Sequence, residues 1–174
     1  KVVLLMMGYE GSSELLSALV QRLAAGPIPD DLRIHAVVVA GRSERVRRAV
    51  EDAVAGASAE RRPRVRLRVA PLLEADEIAG YMRLAGAAGS ARAGVVVTKP
   101  GGATTAECAE TGAHMLLASG FPWEDCNRDH VLASGLGEPC SDEDFLSRLI
   151  RALREPPSPP PRPLDWRSRV LKCL

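Results

Sequence analysis

The segment TKPGGATTAE, residues 98–107, carries the residue types whose spacing best suits ligand chemistry. Its two glycines, Gly101 and Gly102, lie between an apolar run that predicts a strand and a helical pattern that follows. Glycine lets a backbone approach a ligand closely, and the N–H groups at a helix N-terminus attract anions. Thr104 and Glu107 also fit a Thr-x-x-Glu capping box with Thr104 as N-cap. An anion site and a simple helix start are therefore both open interpretations.

A second glycine-containing stretch, MGYEGSS at residues 7–13, also separates a predicted strand from a predicted helix. It matches neither the G-x-G-x-x-G dinucleotide fingerprint nor the G-K-S/T end of a P-loop. A phosphate-binding loop and a plain tight turn remain equal alternatives for this stretch.

Acidic residues in SDEDF, residues 141–145, resemble the metal-binding D-x-D of many sugar transferases through Asp142 and Asp144. The apolar periodicity of the following FLSRLIRAL favours a helix start with Ser141 as cap, so we predict no metal there. The three histidines form no Ser/His/Asp or Cys/His arrangement that their spacing would support, which gives hydrolytic chemistry no basis.

Strands and helices alternate about five times along the chain. The predicted strands are residues 2–6, 33–40, 64–69, 94–98 and 114–118, and the predicted helices are residues 14–25, 44–55, 74–87, 104–111, 124–134 and 142–154. This order predicts an α/β fold with a doubly wound parallel sheet, which binds ligands at the carboxyl ends of its strands. In the strand at 64–69, Arg64, Arg66 and Arg68 alternate with apolar residues. An edge strand with one solvated face is favoured there over a basic patch for phosphate or lipid headgroups.

The composition of the chain excludes some classes of protein. The chain has 174 residues, a net charge of +1 and 3% aromatic residues, which argues against a general nucleic-acid binder. No apolar run reaches the ~18 residues of a membrane span. Of the four cysteines, Cys108 and Cys126 fall in predicted helices, and we expect buried reduced thiols in a reducing compartment.

The proline-rich segment at 155–163 predicts a stiff strap before a short final helix, so residues 1–154 form one domain and residues 155–174 an appendage. Because Lys1 leads directly into a strand, we expect this domain to be half of a larger protein.

On three segments the sequence resembles the carboxyl-terminal domain of GT-B glycosyltransferases of the monogalactosyldiacylglycerol synthase, diacylglycerol glucosyltransferase and MurG-like family. The segments are MMGYEGS for M-G-G-G-E-G, TKPGGATTAECAETG for T-K-P-G-G-x-T-x-x-E, and FPWEDCNRDHVLASGLG for P-G-Q-E-x-x-N. The resemblance implies a Rossmann-like domain that binds a UDP-sugar in an inverting enzyme without an obligatory metal or other cofactor. It also implies hexose transfer to a diacylglycerol-like lipid, at a membrane surface in the cytoplasm or a plastid. The catalytic base and acceptor site would lie in a separate N-terminal half.

The resemblance also assigns residues to the donor. Those that would bind UDP are Gly8, Glu10, Gly11, Ser12, Thr98, Lys99, Gly101, Gly102, Thr104 and Glu107, with Glu107 on the ribose hydroxyls. Those that would contact the sugar are Trp123, Glu124 and Asn127. Two positions depart from the family, since Tyr9 replaces a glycine and Trp123 replaces a glutamine. A separately encoded donor-binding subunit, or a degenerate nucleotide-sugar-binding module inactive without a partner, is the alternative.

Overall fold

The structure, a computed structural model, describes residues 1–7, 13–41, 44–56, 64–86 and 94–155. The glycine-containing loop at 8–12 and the predicted strap and helix at 156–174 lie outside these residues. The strands are β1 (Val2–Met6), β2 (Ile34–Val39), β3 (Val65–Ala70), β4 (Gly94–Thr98), β5 (Met115–Leu117) and β6 (Gly137–Pro139). The helices are α1 (Ser13–Ala25), α2 (Glu44–Ala55), α3 (Ala75–Gly86), α4 (Gly102–Thr111), α5 (Asp125–Ala133) and α6 (Phe145–Arg154), with a 3-10 turn at Pro122–Glu124.

All six strands are parallel and lie in the order β3-β2-β1-β4-β5-β6. This confirms the predicted doubly wound α/β fold. The strand order reverses between the neighbours β1 and β4, whose last residues, Met6 and Thr98, lie opposite each other. In open parallel sheets the crevice at such a reversal is where ligands bind. The segment following β4 is thus at the expected position.

Helices cover both faces of the sheet. Val3 and Leu5 of β1 are buried on the side of α1, α2 and α6, together with Leu19, Val50 and Leu149. Leu4 of β1 is buried on the side of α3, α4 and α5, together with Met82, Cys108 and Val131. Successive strand residues point to opposite faces, so a strand covered on both sides needs the continuous apolar run that the sequence shows.

The sixth strand, β6, was not predicted. It has only three residues, Gly137, Glu138 and Pro139, and two of them are types depleted in strands. Proline is tolerated because β6 is the edge strand next to β5. Tertiary pairing at the sheet edge therefore overrides local propensity.

The other edge strand is β3, which confirms the edge position predicted for the arginine-rich segment. Arg66 and Arg68 are exposed, whereas Val65 and Ala70 are buried. Since β3 pairs only with β2 among the described strands, its charged residues also hinder edge-to-edge pairing with another sheet.

Two of the cysteines are free buried thiols, Cys108 and Cys140. Burial raises the pKa of each thiol to about 12, so both are protonated and inert near neutral pH. Cys126 differs from the prediction, because it is exposed on α5 and disulfide-bonded. On this largely polar helix Val131 is the buried residue, and position 126 faces outward. Across the part of the chain that is described, no helix has the length and apolarity to cross a membrane.

Candidate functional site

The turn from β4 into α4, residues 99–102, forms the centre of the site. Helix α4 begins at Gly102, two residues before the predicted start, and its N-cap is Gly101 with φ −67° and ψ 143°. No side chain caps this helix end. The predicted capping box is therefore wrong, because Thr104 is already in the helix and Glu107 lies in its second turn. The first-turn N–H groups are left for another acceptor, and their dipole favours an anion.

The two glycines of this turn are not required by the fold. A Cβ on Gly101 would meet Glu124 Oε1 at 3.6 Å, and one on Gly102 would meet Asn127 Nδ2 at 3.8 Å, both ordinary contacts. Neither glycine has a positive φ. At Gly94, in contrast, a Cβ would lie 2.1 Å from the Val2 carbonyl oxygen. Gly94 is explained by packing, whereas Gly101 and Gly102 leave open backbone surface at a helix N-terminus.

A buried ion pair supports the turn. Lys99 Nζ lies 2.9 Å from Glu124 Oε1, and their side chains are 17% and 7% exposed. Glu124 Oε2 accepts a hydrogen bond of 3.0 Å from the Phe121 N–H. The Lys99 ammonium also lies 4.7 Å from the centre of the Phe121 ring. Both oxygens of Glu124 are thus engaged within the protein, and the cation is held beside the turn.

A second contact joins the same two loops. Asn127 of α5 donates from Nδ2 to the Pro100 carbonyl oxygen at 3.0 Å. The loops also pack closely, since a Cβ on Gly120 would lie 3.1 Å from Pro100 Cδ. The segment after β5 therefore acts as a brace for the β4–α4 turn.

Trp123 is the most exposed large apolar side chain near the site, at 72%. Its ring stacks on Phe121 with centroids 4.5 Å apart and planes 8° apart. Because Phe121 in turn lies beside Lys99, an aromatic surface extends outward from the turn. Such a surface suits the apolar face of a sugar or another flat ligand.

The structure brings most of the predicted residues together at one rim. Thr98 is buried at the end of β4 and donates from Oγ1 to the Lys99 carbonyl oxygen at 3.1 Å. Glu107 is exposed on α4. The predicted loop residues Gly8, Glu10, Gly11 and Ser12 lie outside the described residues.

Sequence reasoning placed Phe121 in the segment 121–127 that would contact the sugar, but it missed the contact of Phe121 with Lys99 and the pairing of Lys99 with Glu124. The signal available for both was their position after two neighbouring parallel strands, β4 and β5.

Asp142 and Asp144 are each paired with an arginine. Arg22 donates to both oxygens of Asp142 at 3.2 and 3.1 Å, and Arg148 pairs with Asp144. The hydrogen bond from Arg148, with one from the Ser141 backbone, lowers the pKa of the Asp144 carboxyl. Helix α6 begins at Phe145 with Asp144 as N-cap, so Ser141 closes the preceding turn instead of capping the helix. Among described residues, no cluster of three or more metal-ligating side chains is present.

Comparison with known proteins identifies solved structures that share the fold of this chain. No protein-family model matches the chain, and no curated protein matches it. The structure of a kitacinnamycin glycotransferase aligns with a TM-score of 0.59 and 21% identity, over 99% of this chain and 38% of that one. A structure of S. aureus MnaA with UDP aligns with a TM-score of 0.55 and 12% identity, over 99% of this chain and 45% of that one. The chain spans less than half of each of these proteins, and it shares its Rossmann-like fold with part of each.

Proposed function

We propose that this chain is the donor-binding domain of a glycosyltransferase and that it binds the diphosphate of a UDP-sugar on the β4–α4 turn. One observation carries the proposal. Gly101 and Gly102 expose the uncapped N-terminus of α4 at the strand-order reversal, and nothing in the fold requires glycine at either position. A diphosphate is the ligand that such a backbone surface and helix dipole accommodate.

Charge and placement support the same assignment. Lys99 supplies a cation beside the turn, although Glu124 already balances it, so the backbone amides remain the main attraction for the anion. Glu107 lies one helical turn beyond Thr104 and is free of any capping role. In this proposal it accepts hydrogen bonds from the ribose hydroxyls. The two similar structures, one of a glycotransferase and one solved with UDP, are consistent with this ligand class.

The finer assignment rests on the family resemblance. We propose inverting transfer of a hexose to a diacylglycerol-like lipid, with the acceptor site and base in an N-terminal half and the membrane as the place of reaction. Donor binding would need no metal. Trp123 would stack on the sugar. Glu124 and Asn127 would affect sugar binding indirectly, by fixing the conformation of the loop, because their contacts are within the protein.

The alternative is a donor-binding subunit or degenerate module that needs a partner. It is favoured by the two observations that Trp123 replaces the expected glutamine and that Glu124 is turned inward. A chain of this kind would bind UDP as the enzyme does, but it would hold UDP-sugars no more tightly than UDP.

Glu107→Gln tests the ribose role. Since Glu107 is exposed and outside the helix cap, the substitution should leave the melting temperature unchanged. A glutamine offers one acceptor oxygen where the carboxylate offers two, so we expect UDP affinity to fall roughly tenfold to a hundredfold. Pyrophosphate, which has no ribose, should bind as before. Titration calorimetry measures the affinity for UDP and for pyrophosphate. An equal change in both affinities, or no change in either, would show that Glu107 has no role in ribose binding.

A further inference from the structure

A cluster of basic residues lies at the amino edge of the sheet, opposite the β4–α4 turn. A surface cavity of about 450 Å³ is lined by Ile34 and by the basic residues Lys1, Arg33, His35, Arg64 and Arg66. We call these five basic residues the amino-edge cluster. They lie at or before the starts of β1, β2 and β3. A strand of five residues spans about 17 Å, which separates the cluster from the donor turn.

Strand register explains why these residues meet. His35 is opposite both Val2 and Arg66, and the backbone N–H groups of Ile34 and His35 bond to the carbonyl oxygens of Arg64 and Lys1. Residues that are opposite each other in a parallel sheet project to the same face. The register therefore places Arg66 of β3 beside His35 of β2 on one face, and Lys1, just before β1, joins them in lining the cavity.

Of the three arginines in the amino-edge cluster, Arg64 alone has a carboxylate partner among the described residues. Arg64 pairs with Asp30 at 2.5 Å, whereas Arg33 donates to the carbonyl oxygens of Asp30 and Leu32. The exposed side chains of Arg66 and His35 have no hydrogen-bond or ion-pair partner among the described residues. Arg68, farther along β3, is bound instead to Tyr81 of α3 at 3.0 Å. A solvated edge strand would explain separate arginines, but it does not require cations from three strands around one cavity.

We propose that the amino-edge cluster binds a ligand carrying at least two phosphate groups, either a soluble one or the headgroups of an anionic lipid. Guanidinium groups match phosphate oxygens in geometry and charge. Three adjacent strands cover about 10 Å, which is more than a single phosphate group spans. The described residues that line the cavity include no aromatic side chain, and so they offer no stacking surface of the kind that binds single-stranded nucleic acid.

The test uses inorganic triphosphate for the soluble source and vesicles for the lipid source. Triphosphate is titrated calorimetrically, and vesicles of phosphatidylcholine with phosphatidylglycerol are compared with phosphatidylcholine alone in a sedimentation assay. Arg66→Gln removes no described contact, and we expect it to weaken binding of the active probe about tenfold. Arg33→Gln together with Arg66→Gln should weaken it further. Arg48→Gln with Arg83→Gln, two exposed helix arginines, makes a charge-matched control that should keep wild-type affinity.

The outcomes are distinct. Loss of triphosphate binding in Arg66→Gln supports a soluble ligand, and loss of phosphatidylglycerol-dependent sedimentation supports a lipid ligand. Binding of neither probe by the wild type, or equal weakening in the control variant, overturns the proposal. Gly102→Ala separates this site from the donor site, because it should leave the Arg66-dependent binding intact.

Discussion

Replacing Gly102 with alanine is expected to weaken UDP binding about tenfold or more, which corresponds to roughly 1.4 kcal/mol. The added methyl would occupy the surface over the first turn of α4 where the diphosphate approaches the backbone. Within the protein it would meet only Asn127 Nδ2, at 3.8 Å. Alanine also favours a helix over glycine by up to about 1 kcal/mol, so the melting temperature should stay the same or rise. Calorimetry should therefore show weaker UDP binding, while thermal unfolding shows no loss of stability.

Gly94→Ala is the matched control for this result. Its methyl would lie 2.1 Å from the Val2 carbonyl oxygen, where the first residues of β4 and β1 pair, so the backbone must shift. We expect a loss of about 3 kcal/mol or more in the free energy of unfolding. If Gly102→Ala instead destabilised the protein and left UDP affinity unchanged, the glycine would serve the fold and the proposed site would lose its main support.

Glu124→Ala is expected to lower the free energy of unfolding by about 3 kcal/mol. The substitution leaves the Lys99 ammonium, 17% exposed, without its partner at 2.9 Å, and it removes the acceptor of the Phe121 N–H. A buried unpaired cation and an unsatisfied donor both cost free energy. UDP affinity should also fall, because the brace that holds the β4–α4 turn is lost. Chemical denaturation of the purified chain measures the first effect.

A double-mutant cycle separates the pair from the packing. Lys99→Met with Glu124→Met replaces both charges by apolar side chains, and it should recover much of the stability that either single change loses. Glu107→Ala, on the exposed face of α4, gives a matched carboxylate control for stability, with little expected effect on the free energy of unfolding. A loss below about 1 kcal/mol in Glu124→Ala would show that solvent reaches the pair and that it behaves as a surface ion pair.

Central strands and amphipathic helices were predictable because the spacing of their apolar residues indicates which positions are buried. The bounds of β1, β4 and α2 agree with the prediction, and the continuous runs of β1 and β4 match strands covered on both faces. Strand β6 was not predictable, since Gly137 and Pro139 disfavour a strand and only pairing with β5 makes it one. The residues around β6 do not by themselves indicate that it pairs with β5.

The position of the site was predictable, and its internal contacts were not. A glycine pair after an apolar strand located the β4–α4 turn, but the Thr-x-x-Glu spacing placed the helix start two residues too late. That error concealed the uncapped helix end. The pairing of Lys99 with Glu124 depends on the loop after β5 folding back over the turn, and nothing near either residue in the sequence indicates that its side chain is buried.

Titration of the unmodified chain with UDP, in buffer containing EDTA, tests the proposed donor site most directly. We predict saturable binding of one UDP per chain without added metal, accompanied by thermal stabilisation. At a ligand concentration of 100 times Kd, the gain in stability should be about 2.7 kcal/mol. Absence of heat and of any shift in melting temperature at millimolar UDP would contradict the assignment of the β4–α4 turn as a nucleotide-diphosphate site.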